Sequence, residues 1–342
     1  MLAVVLAKVA ATVGGLLGGV TLMTWVERRG SGFIQLRLGP NRVGPFGLFQ
    51  PLADGLKFLF KEDITPPFVH KPTYIAAPMI SISAALTAFA VIPFGSRLTL
   101  FGYEIPLVVA DVPVGVLLAL AASSMGVYGI ILAGWSSNNK YSQMGGLRSS
   151  SQMISYELAL ALAVISVLVL SGTLRLTEIV QLQAQGLWNV VYLPLGFLVM
   201  VVAAFAETNR LPFDLPEAES ELVGGYHTEY SSMKFAMFFM AEYTNMITSA
   251  ALMVTLFLGG YAIPAFVREP LGLEGNLLAL CEVAFFVLKV ALLLWLFVWV
   301  RWTLPRFRFD QLMRLGWKAL IPLGLLNVVW AAALGLFWLW RH

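Results

Sequence analysis

Between Ala206 and Glu229 the chain reads AETNRLPFDLPEAESELVGGYHTE. This sets Glu207, Asp214, Glu217, Glu219, Glu221 and Glu229 against one arginine, Arg210, and one histidine, His227. Carboxylates this dense repel one another unless they share protons or meet cations, and apolar runs on both sides put them at a membrane surface. The chemistry such a set can perform is the holding and passing of protons or cations. A solvated acidic loop is the plain alternative, and spacing alone does not separate the two. Pro216 is placed to open a short helix, with Glu217 and Glu219 at its positive end. That helix puts Glu217 and Glu221 one turn apart, a like-charge pair that implies shared protons or arginine partners.

Five further ionisable residues, Asp111, Glu157, Glu242, Glu282 and Lys289, lie inside apolar runs. An ionised side chain at the centre of a membrane helix costs roughly 2.5–3.5 kcal/mol on insertion scales. Asp111, Glu157 and Glu282 sit about one turn from a run's end, where snorkelling relieves the cost. Glu242 lies about two turns deep and Lys289 near the centre, and these two point to an ion or proton route. Glu282 and Lys289 share a helix face, whereas Glu242 needs its own partner or a proton.

The elements that must position these groups are legible from composition. The 342 residues are 59% hydrophobic and 12% charged, with mean hydropathy +0.81. Apolar runs cover 2–26, 75–95, 106–135, 152–171, 187–206, 235–259, 277–300 and 319–340, each of roughly 20 residues or more and able to cross ~30 Å of hydrocarbon. The expectation is an all-α integral membrane protein of about eight transmembrane helices. It forms a single polytopic membrane domain over 1–342, with cytoplasmic loops at 27–74, 136–151, 207–234 and 301–318. Sixteen of the 22 Lys and Arg residues then fall on the cytoplasmic face, so both termini belong on the other side. The net charge of +3 reports topology, not a nucleic-acid partner. The first run is long, has no small-residue cleavage site and ends in Glu27-Arg28-Arg29, so it reads as a retained helix.

The first loop contains GPNRVGPFGLFQ, whose Gly39, Pro40, Gly44, Pro45 and Gly47 are successive turn formers. A helix too short to span follows from near Leu48, with Phe49, Leu52, Ala53, Leu56, Leu59 and Phe60 on one face and Gln50, Asp54, Lys57 and Lys61 on the other. It is expected along the membrane surface, with Asp54 and Lys57 spaced to pair. Gly14, Gly15, Gly18 and Gly19 form small-xxx-small pairs that predict helix packing. One cysteine, Cys281, excludes an iron–sulfur cluster, an internal disulfide and an ordinary zinc site, and His70, His227 and His342 all lie outside the runs, which excludes an intramembrane bis-histidine haem. Electron carriers must lie on other chains.

WVERR from Trp25, QLRLGPNRVGPFGLFQPLADGLK from Gln35 and FKED from Phe60 resemble the first cytoplasmic loop of a known family, the quinone-site membrane subunit of complex I, the NADH:quinone oxidoreductase. KYSQMGGLRSSSQMISYE from Lys140, ETNRLPFDLPEAESELVGG from Glu207, AEYTN from Ala241 and PRFRFDQLM from Pro305 agree with it, so the resemblance covers essentially the whole chain. It implies a subunit without a redox centre that forms much of the tunnel by which quinone, either ubiquinone or menaquinone, approaches the terminal iron–sulfur cluster. NADH, FMN and the iron–sulfur clusters belong to other subunits. Expected partners are the peripheral-arm quinone-site subunits, the small membrane subunits and the antiporter-like subunits, in lipid of a bacterial inner (plasma) membrane.

Carried over by position, the quinone tunnel comprises Glu27, Arg28, Arg37, Asp54, Lys57, Arg210 and Phe213. The proton-coupling set comprises Glu157, Glu207, Asp214, Glu217, Glu219, Glu221, Glu242, Glu282 and Lys289, with Arg148 and Arg301 as counter-charges. A membrane subunit of an energy-converting hydrogenase would share the acidic island, but ERR, AEYTN and PRFRFDQLM fit complex I better. A stand-alone transporter would show internal repeats, which are absent. A purely structural anchor would not need Glu242 or Lys289.

Overall fold

The computed structural model describes residues 2–100, 102–217, 219–268 and 274–341. In chain order its helices are α1 (Leu2–Ile34), α2 (Gln50–Phe60), α3 (Lys71–Phe89), α4 (Gly115–Ser136), α5 (Lys140–Ser171), α6 (Leu176–Gln185) and α7 (Asn189–Tyr192). They continue as α8 (Pro194–Glu207), α9 (Glu219–Leu222), α10 (Ser232–Phe257), α11 (Ala265–Arg268), α12 (Gly275–Thr303), α13 (Phe309–Leu315) and α14 (Ile321–Arg341). The fold is all-α apart from an antiparallel hairpin of β1 (Arg97–Leu100) and β2 (Tyr103–Pro106), paired from Arg97 with Pro106 to Leu100 with Tyr103.

Among the described residues six helices are long and apolar enough to cross a membrane: α1, α3, α4, α5, α12 and the helix continuing from α13 into α14. The other two expected spans are of different character. α8 has 14 residues, about 21 Å at 1.5 Å per residue, because Pro194 restarts the helix after a break at Leu193. α10 has the length, 26 residues, but carries Lys234 and Glu242 and is enclosed by its neighbours.

Boundaries moved for identifiable reasons. The run from 106 yields its first nine residues to β2 and a loop, and α4 begins at Gly115. α5 extends back to Lys140, into the stretch read as a loop. Asn139 caps it by accepting a hydrogen bond from the Tyr141 amide at 2.9 Å. α13 likewise occupies the region read as the last loop, joined to α14 through a π-helical turn at Gly316–Leu320.

α5 packs against α4, α8 and α14, while α3 packs on α4 and α10, and α1 on α10 and α12. The amphipathic helix α2 holds its place through α10, whose Ser232 hydroxyl donates to the carbonyls of Phe58 at 2.8 Å and Lys61 at 3.1 Å, closing its C-terminal end. Leu52, Leu56, Leu59 and Phe60 remain exposed on its outer flank. The turn ahead of it needs Gly47, whose φ is +73° and where a Cβ would stand 2.3 Å from the Pro40 carbonyl oxygen. Of the α1 glycines expected to pack, Gly19 does so within the chain, where a Cβ would stand 3.4 Å from Ile247 Cδ1 of α10, and the other three do not. A Cβ at Gly14, Gly15 or Gly18 would meet nothing within 4 Å.

The far end of α10 is finished by side chains. Gln183 donates to the Thr255 carbonyl at 2.9 Å and Asn189 to that of Leu256 at 2.8 Å. Lys289 Nζ donates to the carbonyls of Leu258 at 2.7 Å and Gly260 at 2.9 Å. A cation against terminal carbonyls suits the negative end of the helix dipole.

Candidate functional site

Four elements converge where α1 ends: its residue Glu27, the coil after α8 with Arg210, α10 with Glu242 and Tyr243, and the end of α12 with Arg301. Arg210 Nε lies 2.6 Å from Glu242 Oε1, and Arg210 Nη1 lies 3.4 Å from both Glu27 oxygens. Arg301 Nη1 contacts Glu27 Oε1 directly, and the Tyr243 hydroxyl donates to Glu27 Oε2 at 2.8 Å. Arg210 also stacks over the Tyr243 ring at 4.2 Å. Glu27 is 6% and Arg210 4% exposed. Two carboxylates and two guanidinium groups thus balance in a buried tetrad, which relieves much of the cost of removing each charge from water.

The balance is incomplete in hydrogen bonds. The Arg210 Nε–Glu242 contact is an ion pair without hydrogen-bond alignment, and the buried donors Arg210 Nη2, Arg301 Nε and Trp302 Nε1 have no acceptor among the described residues. Burial opposes the charge of Arg210, but Glu242, Tyr243 and Glu27 outweigh it and hold the guanidinium above its ordinary range.

The acidic segment is folded back on itself. Gly225, at φ +65°, lets the Pro216 carbonyl approach to where a Cβ would be 1.8 Å away. Gln152 of α5 ties the segment's start by donating to the carbonyls of Ala206 at 2.8 Å and Phe213 at 2.7 Å. Phe213 packs between Tyr156 and Phe307. Asp214 pairs with Arg306 at 2.9 Å. A small cavity of about 30 Å³, room for a water molecule, brings together Glu207, Glu217 and Glu242 with Tyr226, Asn209 and Asn245. Burial, then Glu217, Glu242 and Asp214, push the Tyr226 phenol well above its ordinary value, so it is a neutral hydroxyl at the cavity wall. Burial lowers His227 to about 4, so its 3.8 Å approach to Glu217 is that of a neutral imidazole at pH 7 rather than an ion pair.

The helix expected from Pro216 is a correction. Among the described residues of this stretch only Glu219–Leu222 is helical, a single turn, and Glu217 is in a turn ahead of it. Glu217 therefore faces the cavity and His227, while Glu221 reaches outward to Arg148 at 2.6 Å, so the two do not form a like-charge pair. One proline cannot propagate a helix whose next residues fold back against Gly225. The side chain of Glu219 lies outside the described residues.

The other expected residues occupy separate places. Arg28 pairs with Asp54 of α2, which also accepts from Gln50 at 3.3 Å and has Lys57 at 3.8 Å. Arg37 donates to Gln35 of its own loop at 2.6 Å and to Ser31 at the end of α1 at 3.1 Å. Glu157 accepts from Ser124 of α4. Glu282 accepts from the Ser96 amide at 2.9 Å, and Lys289 binds the end of α10, so these two neither pair with each other nor join the tetrad. Asp111 accepts from Thr177 at 3.0 Å. Sequence reading missed Tyr243, Arg306 and Gln152 as partners. Tyr243 adjoins Glu242 and Arg306 lies in a basic block, but a ring over a guanidinium and a clamp across 61 residues have no local signal. Among the described residues, no three His, Cys, Asp or Glu side chains group as a metal site.

The family model described as "NADH dehydrogenase" matches residues 7–332. The chain is 53% identical over 306 residues to an NADH-quinone oxidoreductase subunit of Cytophaga hutchinsonii, covering 90% of this chain and 89% of that protein. It is 53% identical over 333 residues to an NADH-quinone oxidoreductase subunit of Leptospira biflexa, covering 94% and 92%. It is 52% identical over 320 residues to "NADH-quinone oxidoreductase subunit 8" of Rhodothermus marinus, covering 90% of each.

Proposed function

The chain belongs to the NADH dehydrogenase family, and from that premise we propose that it works as a membrane subunit of an NADH-quinone oxidoreductase, coupling quinone reduction to proton movement. The electrons travel through other subunits. This chain contributes a wall for the quinone and a proton path. The observation that carries the reading is the junction of the buried Glu27–Arg210–Glu242–Arg301 tetrad with a cavity that also holds Glu207 and Glu217.

Glu242 belongs to both. Its carboxylate meets Arg210 on one side and the cavity on the other, so a change of charge at the tetrad changes its proton affinity directly. A quinone reduced beside the tetrad requires two protons and passes through anionic forms. Negative charge near Arg210 and Arg301 weakens their hold on Glu27 and Glu242, and the carboxylates then bind protons. Removal of that charge releases the protons toward Glu207 and Glu217. Arg28, Asp54 and Lys57, paired between α1 and α2, stand on the outer approach, with α2 presenting apolar residues to lipid.

By the positive-inside distribution, the segments 27–74, 136–151, 207–234 and 301–318, with the helix ends and short helices they contain, face the cytoplasm of a bacterial plasma membrane and receive the peripheral-arm subunits, with both termini opposite. Neighbouring membrane subunits carry the protons onward.

The experiment is Glu242→Gln in the assembled enzyme reconstituted into vesicles. Quinone-linked NADH oxidation and the proton gradient should both fall at least tenfold, while ferricyanide reduction by the peripheral subunits persists. Wild-type gradients in the Gln variant overturn the coupling role.

A further inference from the structure

Helix α10 begins with a departure from local rules. Ser231 stands at its N-cap position, where a serine ordinarily accepts a hydrogen bond from the helix's own first amides, yet it makes no such bond. Its hydroxyl instead accepts from the Ile64 amide at 3.0 Å and donates to the Ile64 carbonyl at 3.2 Å. The buried Ser232 is held at φ +50°, a left-handed conformation that costs any residue with a Cβ, and its hydroxyl reaches the Phe58 and Lys61 carbonyls at the end of α2. Lys234 Nζ completes the grip, 2.9 Å from an Asp63 carboxylate oxygen and 2.7 Å from the Thr65 hydroxyl. A helix start that forgoes its own cap and keeps a strained residue persists because remote contacts over-determine it, and such strain collects at working parts of a protein.

What this turn holds is a strut. α2 packs on both α1 and α10. Toward its start Asp54 meets Arg28, the residue after Glu27 on α1, and at its end it meets Ser232, ~15 Å of helix ahead of Glu242 on α10. Between α1, α10 and α12 an apolar crevice of about 560 Å³ reaches Val26, next to Glu27, and α2 crosses from α1 to α10 beyond that end. No residue of α2 is buried, so packing does little to fix it. The polar contacts at its two ends decide where it stands.

Resting on the reading of α2 as part of the quinone approach, we propose that Ser232, with Ser231 and Lys234, is a positioning residue for the quinone. The grip keeps α2 in place as a preformed wall between α1 and α10. Apparent affinity falls with the fraction of molecules whose site is already in place, so the grip enters the reaction through KM rather than kcat.

The test uses the whole assembled enzyme in vesicles, with decylubiquinone and dimethylnaphthoquinone as alternative acceptors, and reads hydrogen exchange over residues 55–65 together with KM and kcat. Ser232→Gly tolerates the positive φ but has no hydroxyl, and exchange over 55–65 should quicken. Ser232→Gly combined with Ser231→Ala and Lys234→Met loses every side-chain hydrogen bond of the grip. There KM should rise at least about fivefold, the factor of one net hydrogen bond, with kcat held within about twofold. Ser232→Asn, whose side chain tolerates the same φ and can donate, should restore both readings, which a general loss of stability would not allow. If the triple change prevents assembly, Ser232→Gly decides alone on the same readings. Unchanged exchange in Ser232→Gly, KM unmoved while exchange quickens, or a fall in kcat at constant KM would each overturn the proposal. The Glu242→Gln gradient separates the two failures. Loss of that gradient with KM unmoved here leaves coupling standing and removes the positioning role, whereas a wild-type gradient with KM raised removes coupling and keeps Ser232 at the quinone approach.

Discussion

Two of the places where this molecule buries charge solve the problem differently. At the far end of α10, Lys289 faces the carbonyls of Leu258 and Gly260 and the rings of Trp188 and Phe285, while Gln183 and Asn189 occupy neighbouring carbonyls. Its partners are backbone groups that cannot titrate or leave. At the other end, Glu27, Arg210, Glu242 and Arg301 face one another, with a polar cavity beside them. Here the partners are themselves ionisable, and any new charge redistributes the rest. A buried charge held by backbone is a fastening; a buried charge held by other charges is a switchable site.

The most damaging way to probe that difference is Arg210→Leu. It leaves Glu27 and Glu242 buried with Arg301 alone, a loss of roughly 3–5 kcal/mol. Quinone-linked turnover per assembled complex should drop at least a hundredfold, with ferricyanide reduction as the internal standard. Near-normal turnover would mean that the tetrad is only a fastening too.

Acidification probes the acidic segment ahead of α10, which carries His227 beside Glu217. His227 is neutral when folded, with its pKa lowered to about 4 from an ordinary 6.5. The unfolded segment therefore binds a proton that the folded one refuses. Stability is complete above pH 6.5 and falls as pH drops toward 4, by up to about 3 kcal/mol. Hydrogen exchange over residues 222–231 should quicken across that window in the wild type and not in His227→Gln.

Lys289→Met sharpens the comparison from the other side. Two carbonyls lose their donor, at a cost of about 1–3 kcal/mol, so the melting temperature of the complex should fall. The pH profile of turnover in the surviving enzyme should keep its shape. A displaced profile would move Lys289 from the fastening to the proton path. The smallest effect is expected of Glu221→Gln, which breaks an outward-facing pair with Arg148 worth under about 1 kcal/mol. Glu217→Gln, on the cavity, should depress the proton gradient several-fold more. Equal effects would restore the acidic island as one shared titrating group.

Much of this molecule is written in one dimension. Hydrophobic runs name the spanning helices because each must hide its backbone from lipid over a length set by the bilayer, whatever its neighbours do. The 100° periodicity from Phe49 to Lys61 marks α2, and the acidic density from Glu207 marks the region where charge is concentrated. Tertiary structure alone decided which charges meet. Glu242 and Lys289 look equivalent as intramembrane ions, yet one faces Arg210 and the other a helix end. Glu217 and Glu221 look like a pair, yet Gly225 and Pro216 fold them apart. Arg210 reaches Glu27 across 183 residues of sequence. The energy of an ion depends on what lies within a few ångströms of it, and for a buried group those neighbours come from distant elements whose packing no local pattern records.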